Sequence, residues 1–161
     1  MQTFPARGEN AVEILLNDHT TIKRLLGELA SAERSSERKS VLEQLKAILT
    51  VHNATEENLV YPAIAVVAKD ERESKHLYEE MADADVLLFQ LDTMLKSTED
   101  EDFGSKAREF QDAVLEHIDD EETSAFPRLQ ERAKPEQERM LTESVCEFRD
   151  QFAFQGEIDQ E

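Results

Sequence analysis

One short pattern occurs twice in this chain, and it constrains the fold more than any other feature. The run His52-Asn53-Ala54-Thr55-Glu56-Glu57-Asn58-Leu59-Val60-Tyr61-Pro62-Ala63-Ile64 matches His117-Ile118-Asp119-Asp120-Glu121-Glu122-Thr123-Ser124-Ala125-Phe126-Pro127-Arg128-Leu129. Each copy has a His, a Glu four residues on, a second Glu and an aromatic–Pro pair at the same offsets. A His and a Glu four apart share one face of a helix, one turn apart. Each proline removes a backbone donor and crowds the preceding turn, so both helices are predicted to kink or end near the aromatic.

The rest of the chain supports helices throughout. It has 161 residues with only four Gly, four Pro and no Trp, and its bulk is the residue types that lose least on entering a helix. Five segments carry helical periodicity. The first spans roughly 10–32, with Ile14, Leu15, Ile22, Leu25, Leu26 and Leu29 on one face. A polar break at Ser31, Ser35 and Ser36 leads to the second, roughly 38–67. A charged turn around 69–72 precedes the third, roughly 74–96. The acidic stretch 97–102, closed by Phe103-Gly104, reads as a loop before the fourth, roughly 105–132. Pro135 suits the first position of a fifth helix ending near 152, and the tail to Glu161 reads as frayed. The expectation is an all-α, single-domain protein over 1–161. It comprises an up-down-up-down four-helix bundle at roughly 10–132, an additional C-terminal helix at roughly 135–153, and a tail at 154–161.

The balance of 37 acidic against 18 basic residues gives a formal charge of −19. Such a surface repels phosphate backbones and anionic lipid, which argues against nucleic-acid and membrane partners. The single cysteine, Cys146, excludes an intrachain disulfide and a cysteine-rich metal site, and it reads as a core residue beside Val145 and Phe148. The N-terminus lacks the apolar run of a signal peptide. A cytoplasmic location is expected.

The chain has four histidines, His19, His52, His76 and His117, one on each of the first four helical segments and each in register with an apolar stripe. If an inward stripe covers about three positions in seven, all four fall on it by chance roughly once in thirty. In an alternating bundle, His19 and His76, early in their helices, share a level with His52 and His117, late in theirs. Glu56 and Glu121 follow on the same inward faces. Buried carboxylates are costly unless something cationic compensates them, and these stripes offer no matching Lys or Arg. Bound metal is the natural compensation, because imidazole and carboxylate are both ligands. Four imidazoles and two carboxylates exceed one tetrahedral zinc site. They suit two ions, with Glu56 and Glu121 bridging and two histidines on each. Mixed nitrogen and oxygen ligation favours iron over manganese or zinc.

The order His19, His52-x-x-x-Glu56, His76, His117-x-x-x-Glu121, with its aromatic–Pro pairs, resembles the hemerythrin-like (HHE cation-binding) domain family over roughly 10–132. The resemblance implies a four-helix bundle with a non-haem diiron centre, oxo- or hydroxo-bridged, whose ligands are those six residues. It implies reactivity with O2, peroxide or NO, in sensing, peroxide decomposition or detoxification. Iron storage or delivery, iron–sulfur repair, or a purely structural metal site are the alternatives. Ferritin-like diiron proteins place His three residues after Glu, which this chain does not. Oxygen-carrying hemerythrins have a fifth His one turn after that of the third helix, and Glu80 stands there instead. Glu80 can bind metal, hydrogen-bond to a ligand histidine, or lie solvated. Its presence moves the expectation from oxygen carriage towards reaction or sensing. Tyr61 reads as a packing residue, since its repeat counterpart is Phe126.

Overall fold

The structure, a computed structural model, describes residues 9–97 and 102–158. Among these there is no strand. The elements are α1 (Ala11–Ser31), α2 (Ser35–Thr55), a π-helical segment (Glu56–Val60), α3 (Tyr61–Val66), α4 (Glu71–Lys96), α5 (Phe103–Asp120), a second π-helical segment (Glu121–Ala125), α6 (Phe126–Arg132) and α7 (Pro135–Ile158). α1 packs against α2 and α5, and α4 packs against α5 and α2, which closes a ring of four long helices. α7 lies outside the ring against α1, α2 and the first π segment.

Local chemistry explains the boundaries. Asn10 caps α1 by accepting from the Glu13 amide while Glu13 reaches back to the Asn10 amide, a reciprocal capping box. Asp70 accepts from the Glu73 amide, so α4 begins at Glu71, earlier than the apolar stripe suggests. Phe103-Gly104 opens α5 instead of closing a loop, because the buried Phe103 ring packs into the core. Positions 98–101 of the expected loop lie outside the described residues. α7 continues to Ile158, past the expected end near 152, and 159–161 are also outside the description. No helix is long and apolar enough to cross a membrane among the described residues.

The repeated kink takes one form in both copies. The Tyr61 amide donates to the Glu56 carbonyl, and the Phe126 amide to the Glu121 carbonyl, each reaching five residues back. This inserts one extra residue into the turn. The insertion has a rotational consequence. At about 100° per residue, Tyr61 in an unbroken α-helix would stand about 180° around from His52; the extra residue brings it back to about 80°. Tyr61 and Phe126 are therefore buried on the same side as the His and Glu that precede them. Pro62 has no amide to offer the Glu57 carbonyl, and the Tyr78 hydroxyl donates to it at 2.5 Å.

Two apolar clusters form the core. One joins Ile22, Leu26, Leu45, Leu49, Phe110 and Val114. The other joins Leu15, Tyr61, Ile64, Leu77, Met81 and Phe126. Along α1, His19 falls between Leu15 of one and Ile22 of the other, so the polar residues form a layer sandwiched between apolar ones.

Lys69 has φ 55° in the turn after α3, where the Asp70 amide bonds the Ile64 carbonyl at 3.1 Å. A left-handed cap of this kind favours glycine. Lys69→Gly is expected to raise stability by about 1 kcal/mol, seen as a higher urea midpoint with an unchanged slope.

Candidate metal centre

His19 of α1, His52 of α2 and the two π-segment carboxylates, Glu56 and Glu121, are all fully or almost fully buried. One ligand atom from each lies within 4.8 Å of all the others. The His19 and His52 rings meet edge-on at 5.0 Å, and Phe126 stacks parallel to His19. His117, also buried, lies beside this group, with Nε2 2.8 Å from Glu121 Oε1.

His76 is placed differently. Its side chain is 53% exposed, against the expectation that all four histidines point inward. The second turn of α4 faces the end of α5, and there His76 Nε2 lies 3.0 Å from Glu80 Oε1 and 3.3 Å from Asp120 Oδ2. His76, Glu80 and Asp120 form a second cluster able to hold an ion. Glu80 Oε1 is also 3.9 Å from His117 Nδ1, so the second cluster approaches the buried one through Glu80 and His117.

Several charged contacts in the buried cluster lack hydrogen-bond geometry. His19 Nε2, Glu56 Oε2, Glu80 Oε1, His117 Nδ1 and both Glu121 oxygens are buried with no hydrogen-bond partner. Buried polar atoms are almost always satisfied, and six orphans in one layer point to a missing electropositive partner. The other ring nitrogens of two histidines are anchored. His19 Nδ1 lies 3.0 Å from Glu122 Oε1, and His52 Nδ1 lies 2.9 Å from Asp18 Oδ2. A carboxylate on Nδ1 fixes the tautomer that leaves the Nε2 lone pair free, the usual support for a metal-binding imidazole. The residues present therefore fit a cation.

Electrostatics agree. Burial and the adjacent charge of Glu56 push the Glu121 carboxyl well above its usual range. Burial works the same way on Glu56, but His52, Glu121 and His117 outweigh it and hold that carboxyl below its usual range. Two carboxylates this close cannot both stay ionised without a counter-charge. Burial lowers His19. Burial also opposes the charged form of His52, yet Glu56 and Asp18 raise it to about 10. In the absence of metal, a proton on His52 supplies part of the positive charge that the layer demands.

Asp18 carries no mark in the repeat or the stripes, and Asp120 and Glu122 lie inside the second copy of the repeat, whose spacing assigns them no histidine on another helix. Glu122 is the second Glu of the half-motif, and its counterpart in the first copy, Glu57, bonds no histidine among the described residues. Tyr61 packs in the core as its Phe126 counterpart does, but its hydroxyl also lies 2.8 Å from His117 Nε2 and 3.3 Å from Glu56 Oε1. The Tyr-for-Phe difference between the copies was the available signal. Cys146 is half-buried.

A model of the hemerythrin HHE cation binding domain matches residues 10–129. The chain belongs to this family. The fold of the HHE domain is also that of a hemerythrin HHE cation binding domain-containing protein from Mycobacterium kansasii, with TM-score 0.75 and 24% identity over 89% of this chain and 87% of that one. A DNA nickase from Nostoc sp. is 26% identical over 135 residues, 83% of this chain. The chain spans 38% of the length of that protein.

In this HHE domain, the folded state retains protons at Glu121, raised from 4.5, and at His52, raised from 6.5 to about 10, which the unfolded chain has released. Metal-free protein is thus expected to lose stability as pH rises above 4.5 through Glu121 and from about 6.5 to 10 through His52, by roughly 1.4 kcal/mol per pH unit for each proton still held. Urea unfolding at pH 6.5 and 9 measures the loss across the His52 window, and His52→Gln is expected to reduce it.

Proposed function

We propose that this HHE domain holds two iron ions and binds or reacts with a small oxidant such as O2, peroxide or NO. The observation that carries the reading is the set of orphaned, buried donor atoms on His19, Glu56, His117 and Glu121. His19, His52, Glu56 and Glu121 would hold the inner ion, and His76 and His117, with Glu80 as an added carboxylate, the outer one. The carboxylates of Glu56 and Glu121 would serve both ions in this reading. The four long helices run alternately up and down in this reading, which brings early and late histidines to one level. Bound iron supplies open coordination positions and a store of electrons for a small ligand.

The protein's own residues set the conditions for that chemistry. Asp18 and Glu122 hold His52 and His19 with their Nε2 atoms presented inward. Burial and the charges of Glu56 and Glu121 keep the Tyr61 phenol protonated, so its hydroxyl remains a donor beside the cluster. A cavity of about 20 Å³, lined by His52 and His117 and by Ile22, Met81, Leu88 and Phe110 among others, admits a guest about the size of one water or diatomic molecule. The net charge of −19 repels a phosphate backbone, so no nucleic-acid partner enters the reading. A cytoplasmic setting suits it.

The exposure of His76 and Asp120 supports a second reading, iron storage or delivery, because an ion held there is open to exchange with solvent or an acceptor.

Protein purified aerobically is expected to carry about two irons per chain and to show oxo-bridged ferric absorption. Peroxide or NO should change that spectrum, with turnover of peroxide if the centre is catalytic. Iron-loaded protein inert to O2, peroxide and NO would overturn the first reading, and rapid transfer of iron to an apo-acceptor would favour the second. His52→Ala is expected to lower iron content to one per chain or fewer.

A further inference from the structure

The C-terminal helix reaches the metal layer through one residue. α7 begins at Pro135, beyond the matched span of 10–129. From its middle, Arg149 places Nη1 2.7 Å from Asp18 Oδ2 and Nη2 2.9 Å from Asp18 Oδ1. The same Asp18 Oδ2 lies 2.9 Å from His52 Nδ1, and His52 Nε2 faces Glu56 Oε1 at 3.0 Å. Guanidinium, carboxylate and imidazole thus form one continuous chain that ends at the buried cluster. A two-point guanidinium–carboxylate fork fixes the carboxylate plane as well as its distance, which a lysine cannot do. With that plane fixed, Asp18 accepts from Nδ1 and His52 presents Nε2 to a cation.

We infer that Arg149 is a positioning residue of the metal centre, through which the docking of α7 sets the orientation of His52 and the affinity of the site for its cation. The inference rests on the reading of His52 as a ligand. The other polar anchors of α7 are separate from it. Glu138 accepts from the Asn10 side chain and Thr142 from the Ala11 amide. Both hold the start of α1 and touch no candidate ligand. Val145, fully buried, provides packing alone. Attachment of α7 and control of His52 are therefore separable by mutation.

Anaerobic titration of the full chain with cobalt(II), read by ligand-field absorption and by competition with a chelator, tests the inference. Asp18→Asn is expected to weaken binding by about 10- to 100-fold, and Arg149→Met by about tenfold. The double variant should bind no more weakly than Asp18→Asn alone, because Arg149 acts only through Asp18. Arg149→Lys, which keeps the charge but loses the fork, should fall between Arg149→Met and the parent. Val145→Ala should lower the thermal midpoint while leaving cobalt affinity and spectrum unchanged. Parental affinity in folded Arg149→Met, or losses that add in the double variant, would overturn the role of Arg149. Parental affinity in His52→Ala would overturn the ligand reading itself, and with it this inference.

Discussion

Two carboxylates, Glu56 and Glu121, lie side by side in the middle of an apolar bundle, and most of the structure answers to that arrangement. Neither is exposed to water, and the aliphatic layers on both sides keep the local dielectric low, so their repulsion is poorly screened. Without a cation the layer holds protons instead, on Glu121 and His52. In the proposed metal centre, the same oxygens and the free imidazole nitrogens would serve as ligands to a cation. A core of this kind gives up stability in the empty state, which the proposed cation would restore.

The π segments make that assembly possible. Helical spacing aligns each His with its Glu, but on an unbroken helix the following aromatic would turn to solvent. The inserted residue returns Tyr61 and Phe126 to the interior, where they help to seal the layer below the histidines. Proline suits the insertion because it has no amide to draw the next carbonyl back into a regular turn, and in the first copy the Tyr78 hydroxyl serves the Glu57 carbonyl left without a backbone donor. Two chain segments of similar sequence thus reach the same local geometry for the same reason, and the polar layer has approximate internal symmetry.

That symmetry is broken in the residues around the polar layer. On one side His19 and His52 are buried, and each is oriented by a carboxylate. On the other, His76 stands at the surface with Glu80 and Asp120, while Tyr61 reaches His117 where the other copy offers only the Phe126 ring. A closed half suits retention of an ion, and an open half suits exchange or access. α7 adds a further difference, since its Arg149 supports only the His52 side.

The sequence by itself determined the helical class, the apolar stripes, the duplicated half-motif and the inward placement of His19, His52, Glu56, His117 and Glu121. These follow from periodicity, which is local and set by the fixed rise and rotation of the helix. Tertiary structure decided what local spacing cannot encode. His76 opens the register continued by Ala84, Leu87 and Leu91, of which Ala84 and Leu87 are only partly buried, and whether it is covered depends on how closely the end of α5 approaches. Asp18 and Glu122 gain their roles from histidines on other helices, and Arg149 gains its role from the docking of α7 across 131 residues of sequence. The form of the kink was also hidden. Proline predicts a break, but only the need to bury both the Glu and the aromatic that follows it selects a π turn over a helix end.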